Sequence, residues 1–131
     1  MDLLVDLHSV FRWVVLLVAL AAIAFAVLAA TGARPWDRVA ERLSFFFPLT
    51  MDIQALIGLV VWVLGSGWAG DTFLGWIHPG LMLAAIGLAH VGRARSEKAE
   101  GSKAKGRQAT LFFDLSLLMV LVAIPTASWP L

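Results

Sequence analysis

Four long apolar runs, Trp13–Thr31, Leu43–Gly67, Thr72–Val91 and Thr110–Trp129, set the tightest limit on what this chain can fold into. Each meets or approaches the roughly 20 residues that carry an α-helix across bilayer hydrocarbon. Only helices and closed barrels satisfy their own backbone hydrogen bonds in lipid, and barrel strands alternate over segments of about ten residues. These runs are continuously apolar. They predict helices over residues 7–31, 43–67, 72–92 and 109–129.

Of the 131 residues, 60% are hydrophobic and 15% charged, a balance far from that of a soluble domain. Four crossings use most of the chain, so a single domain over 1–131 is expected. Its chemistry must be built between helices or handed to another subunit. The fold class is all-α: a polytopic four-helix transmembrane bundle, up-down-up-down. Short connections make neighbouring helices antiparallel and place helices one and three on the diagonal. Asp2 and Asp6 precede the first run where a cleaved signal would be basic, so that run reads as a retained helix. The absence of cysteine excludes disulfides, thiolate metal sites and CxxCH haem attachment. No HExxH, GxGxxG, P-loop or nucleophile-elbow pattern occurs, and no independent catalytic activity is expected.

All the basic residues except Arg12 cluster in two loops: Arg34, Arg38 and Arg42 in the first, and Arg93, Arg95, Lys98, Lys103, Lys105 and Arg107 in the second. The positive-inside rule assigns both loops to the cytoplasm and both termini to the outside, as in a bacterial inner membrane. In the first loop, Pro35 with Trp36, Val39, Ala40 and Leu43 at helical spacing suggests a segment lying along the interface. The second, 92–108, has no periodic apolar face and reads as a mobile stretch beside anionic lipid. Nothing in it points to nucleic acid. Ala22, Ala26 and Ala30 form a small-xxx-small stripe, suited either to internal packing or to oligomerisation.

Ionisable groups inside hydrocarbon are costly and therefore candidate functional residues. They divide into two layers. Toward the outer face lie His8, Arg12, Asp71 and His78; toward the inner face lie Asp52, Gln54, His90 and Asp114. Two imidazoles on diagonal helices are what axial ligation of a b-type haem needs. Arg12, one turn after His8, shares its face and suits a haem propionate. Pro79 leaves His78 either just before helix three or on it at a kink that frees a carbonyl near Gly75. His78 and His90 are twelve residues apart, which is three turns plus about 120°, so they point to different faces and do not hold two stacked haems. The inner layer suits a proton relay, a quinone headgroup or a polar cross-link between three helices.

Several segments resemble small four-helix bacterial membrane proteins labelled cytochrome b-like: Leu7-His8-Ser9-Val10-Phe11-Arg12-Trp13, Ile53-Gln54-Ala55-Leu56-Ile57-Gly58-Leu59, His78-Pro79-Gly80-Leu81-Met82-Leu83, Ile124-Pro125 and Trp129-Pro130. The resemblance covers nearly the whole chain in order, and HSxxRW is its most specific element. It implies haem at His8 and His78. The family often has histidine two residues before the glutamine of helix two, where this chain has Asp52. Two functions are therefore expected: a b-haem electron carrier exchanging electrons with quinol or a redox partner, or a cofactor-free accessory subunit of a larger respiratory or photosynthetic complex. A proton or small-ion pathway through Asp52, His90 and Asp114 is a third. Inward-facing histidines favour the first; polar groups or small-residue stripes facing outward favour the second.

Overall fold

The computed structural model describes residues 2–125, which form four helices: α1 (Asp2–Ala30), α2 (Arg38–Leu64), α3 (His78–Lys98) and α4 (Ser102–Ala123). All are long and apolar enough to cross a membrane, with the third span counted from Phe73. A single 3₁₀ turn, Gly67–Ala69, follows α2, and a π-helical turn, Phe73–Ile77, leads directly into α3. Helix α1 packs on α2 and α4, and α3 packs on the same two, so α1 and α3 lie on the diagonal as expected. Trp129-Pro130 lies outside the described residues.

Large apolar side chains such as Leu17, Leu20, Leu83 and Leu118 face outward, whereas the centre is filled mostly by alanine with Phe47, Met51 and Phe113. In lipid no hydrophobic force drives helices together, so close approach and interhelical hydrogen bonds must hold them. Ala22 and Ala26 are buried, and a Cβ at Gly106 of α4 would collide with the backbone of Ala26 and Ala30. The alanine stripe thus serves internal packing against α4. Ser116 on α4 donates to Ala85 O on α3 at 2.7 Å in the fully buried interior.

The helix ends depart from the hydropathy reading. Helix α1 starts at Asp2 rather than 7. Helix α2 starts at Arg38 rather than 43, capped by Asp37, whose Oδ1 accepts the Ala40 N–H at 3.0 Å. The segment expected along the interface therefore supplies the first turn of α2. Helix α3 runs to Lys98 and α4 begins at Ser102, which reduces the expected 92–108 loop to residues 99–101. Lysine, glutamate and arginine depress hydropathy, yet they and alanine are strong helix formers. Lys105 Nζ donates to Ser96 O at 3.0 Å and Glu97 O at 3.2 Å, closing the end of α3. The Trp36 N–H donates to Ser102 Oγ at 2.9 Å and joins the two connections. Helix α4 stops at Ala123 rather than 129, because Ile124 precedes Pro125 and is extended (φ −79°, ψ 122°).

Candidate functional site

His8 reaches inward from α1 and His78 from the first residue of α3, and their rings face each other with centroids 6.2 Å apart and planes at 89°. Pro79 governs the place of His78. Its ring would clash with the carbonyl of Gly75 in a regular α-helix, and it has no N–H to offer. The backbone widens into the π turn instead, where the His78 N–H bonds to Phe73 O. The Gly75 carbonyl accepts Trp62 Nε1–H from α2 at 2.8 Å. Asp71 caps this turn by accepting the Leu74 N–H at 3.0 Å. His78 therefore lies on the helix, and the carbonyl near Gly75 has its partner in a tryptophan.

His78 Nδ1 lies 2.8 Å from the carbonyl oxygen of Ala123 at the end of α4. A carbonyl can only accept, so Nδ1 carries the hydrogen and Nε2 of the neutral ring keeps its lone pair. Across from it, His8 packs on Gly58 of α2: a Cβ there would lie 3.0 Å from His8 Cε1. Gln54 Nε2–H donates to the His8 carbonyl at 2.8 Å. Gln54 Oε1 and His8 Nδ1 are both buried without a hydrogen-bond partner among the described residues. Arg12 is buried one turn further along α1, its guanidinium 5.7 Å from the Trp13 ring.

Gln54 therefore belongs with His8 and not with the inner layer where the sequence placed it. Positions 52 and 54 differ by about 200° around a helix, so similar depth gives them opposite faces. The sequence reading held Gly58 only as part of a resembling segment and gave it no role, although its place one turn after Gln54 carried the signal.

At the basic end, His90 Nε2 lies 2.9 Å from Asp52 Oδ1 and 3.1 Å from Oδ2, joining α3 to α2. Arg93 Nη1 donates to Ser44 Oγ at 2.6 Å and to Glu41 O at 3.0 Å, and the guanidinium pairs with Glu41 at 2.8 Å and Glu97 at 3.0 Å. This clasp grips the turn just before Pro48, which interrupts the hydrogen bonding of α2. Asp114 does not join the pair. It stands on the exposed face of α4, with no hydrogen bond or ion pair among the described residues, because the neighbouring Phe113 and Ser116 take the buried face. The expected three-helix cross-link thus reduces to a two-helix pair.

No family model, curated protein or solved structure matches the chain. The described residues contain no group of three or more His, Asp or Glu suited to a metal ion. A bis-imidazole haem asks for two ligands only. With iron–nitrogen bonds of about 2 Å, two imidazoles on one iron have ring centroids roughly 6 Å apart. The His8 and His78 centroids, 6.2 Å apart, lie in that range, and the hydrogen bond at His78 Nδ1 leaves Nε2 of that ring without a proton to share.

Proposed function

We propose that this chain is a small b-type haem protein of a bacterial-type inner membrane, working in electron transfer, in which His8 and His78 would hold the haem iron. The observation that carries this reading is the facing pair of rings at 6.2 Å, one of them fixed in its tautomer by a carbonyl. Held by these two imidazoles, a haem would supply one-electron transfer. The Ala123 carbonyl orients the His78 ring, as outer partners of metal-bound histidines do. Gly58 leaves room for the His8 ring against α2, and Gln54 holds the backbone at His8. Arg12 supplies a buried positive charge one turn from His8, suited to a propionate. The gathering of basic side chains at the opposite end of the bundle supports placing that end in the cytoplasm and the histidines near the outer face.

Titration of haemin into detergent-purified protein tests the reading. One equivalent should bind and give a low-spin spectrum. His8→Ala and His78→Ala should abolish that spectrum, and His90→Ala should leave it intact. Equal titration curves for all four proteins would refute it.

A second reading, a cofactor-free accessory subunit of a larger respiratory or photosynthetic complex, draws support from Asp114. A carboxyl group on the exposed face of a membrane span is costly next to lipid and gains from a polar partner. Photocrosslinking from position 114 in native membranes would capture a protein chain on this reading and only lipid on the first.

A further inference from the structure

Asp114 stands on the flank of α4 that looks toward α1. Leu117 and Leu121, three and seven residues on, share that flank and line an apolar groove of about 190 Å³ with Leu17 and Leu20 of α1. The exposed pair His90 and Asp52 lies on the opposite side of the bundle, where α3 meets α2. We propose that the partner of Asp114 is a second copy of this chain: the α1/α4 side of one copy packs on the α2/α3 side of the next, and Asp114 bonds the outer edge of the neighbouring His90 ring. The proposal goes beyond the haem reading and does not rest on it.

Depth brings the two groups together. Gly92 packs on Phe112 and Phe113, so Asp114 and His90 lie within about one turn, roughly 5 Å, of the same level. Copies inserted in the same orientation keep that match. Both groups are costly against lipid: Asp114 has no hydrogen bond or ion pair among the described residues, and the His90 and Asp52 side chains are 51% and 45% exposed on spanning helices. Asp52 engages Nε2 of His90, which leaves Nδ1 for the neighbour. The link holds for every placing of the protons. Two hydrogens close the series Asp52, His90, Asp114 either on an imidazolium between two carboxylates or on a neutral imidazole beside one protonated carboxyl.

The surfaces allow the approach this needs. Gly80, Ala84 and Gly87 are exposed on α3 on the same side as His90, and a Cβ added at either glycine meets nothing within 4 Å. Without bulk there, a neighbouring helix can come close enough for the interhelical hydrogen bonds that hold helices together in lipid. The polar groups also decide which sides meet. Arg93, held by Glu41 and Glu97, borders the α2/α3 surface beside His90, whereas the α1/α4 groove is lined by apolar side chains alone. Two α1/α4 sides face to face would set Asp114 against its own copy and offer it no cation or imidazole. Unlike sides therefore pair, and such a contact repeats from copy to copy instead of closing on a two-fold axis.

The chain has no native cysteine, so single introduced thiols report the contact. Leu118 and Gly87 both face outward, about one turn beyond Asp114 and His90 toward the outer end. Differently tagged full-length Leu118→Cys and Gly87→Cys proteins are mixed in phosphatidylcholine liposomes at a limiting protein-to-lipid ratio and oxidised with copper phenanthroline. A disulfide joining position 118 of one protein to position 87 of the other is expected, in excess of 118-to-118 and 87-to-87 pairs. Adding Asp114→Leu or His90→Leu should cut the trapped fraction roughly threefold to thirtyfold, the worth of one interhelical hydrogen bond. Asp114→Asn, which still donates and accepts, should keep most of it. Leucine at 114 suits lipid, so an unchanged or higher Tm shows that the variant folds. His8→Ala should cross-link as fully as the unaltered site, which separates this outcome from any failure to bind haem. Predominant 118-to-118 pairs, trapping indifferent to Asp114 and His90, or no trapping at all would overturn the proposal. So would capture of a different chain, in place of this one, from position 114 in native membranes.

Discussion

His8 and His78 face each other across the diagonal of the bundle with their ring planes at 89°. Imidazoles held at right angles would give a ferric haem bound between them no preferred direction, whereas parallel rings would give it one. The protein with haem bound should therefore give a low-spin electron paramagnetic resonance spectrum dominated by one large g value. A well-spread rhombic spectrum would mean that the rings turn parallel on binding.

Gly58 leaves the His8 ring its place against α2. A Cβ at this position approaches His8 Cε1 at 3.0 Å, and the two extra methyl groups of valine crowd the ring further. Gly58→Val should weaken haem binding by roughly tenfold or more, consistent with about 1–3 kcal/mol for overpacking a tight contact. Gly80→Ala, where an added Cβ meets nothing within 4 Å, should leave binding unchanged. Haemin titration of the two variants side by side checks this.

The turn before Pro79 depends on Trp62. Its indole N–H takes the Gly75 carbonyl at 2.8 Å, and its ring packs edge to face with Trp68 and Trp76, centroids 5.3 and 5.7 Å away. Trp62→Phe keeps an aromatic ring but leaves that carbonyl without its donor. A stability loss of about 1–3 kcal/mol is expected, seen as a lower Tm in detergent and faster hydrogen exchange over 71–79.

Outside the spans, the cap of α2 links stability to pH. The Ala40 N–H and, next, Arg34 hold the Asp37 carboxyl below its ordinary value. Its contribution is therefore present above the unfolded carboxylate pKa, about 3.9, and is lost as pH falls through the lower folded value. Asp37→Ala should lower Tm at neutral pH. The gap from wild type should close below pH 4 or thereabouts, as the wild-type carboxylate protonates. A gap that stays constant into acid would show that Asp37 acts through something other than its charge.

Hydropathy reported the four spans and their cyclic order because apolar length and short connections leave few alternatives. It misjudged the helix ends because it marks where hydrocarbon stops, whereas hydrogen bonding carries α3 on to Lys98 through Arg93 and Arg95. The inward pair His8 and His78 was legible from diagonal placement, and the divergence of His78 from His90 from helical phase. Gln54 was misassigned because depth alone was weighed; the 200° between it and Asp52 sends one to His8 and the other to His90. The π turn was beyond sequence reasoning. A proline predicts a disturbance but not whether the helix breaks, bends or widens, and the choice here rests on a tryptophan 17 positions earlier.

On the proposed function, His8 and His78 share a haem iron. Its most direct test is a reduced-minus-oxidised optical spectrum of the protein purified in mild detergent from haem-replete cells, with His8→Ala and His78→Ala alongside. A b-type α-band in the wild type that vanishes in both variants is the predicted result. A folded, colourless wild type, or a band that survives both substitutions, would contradict it.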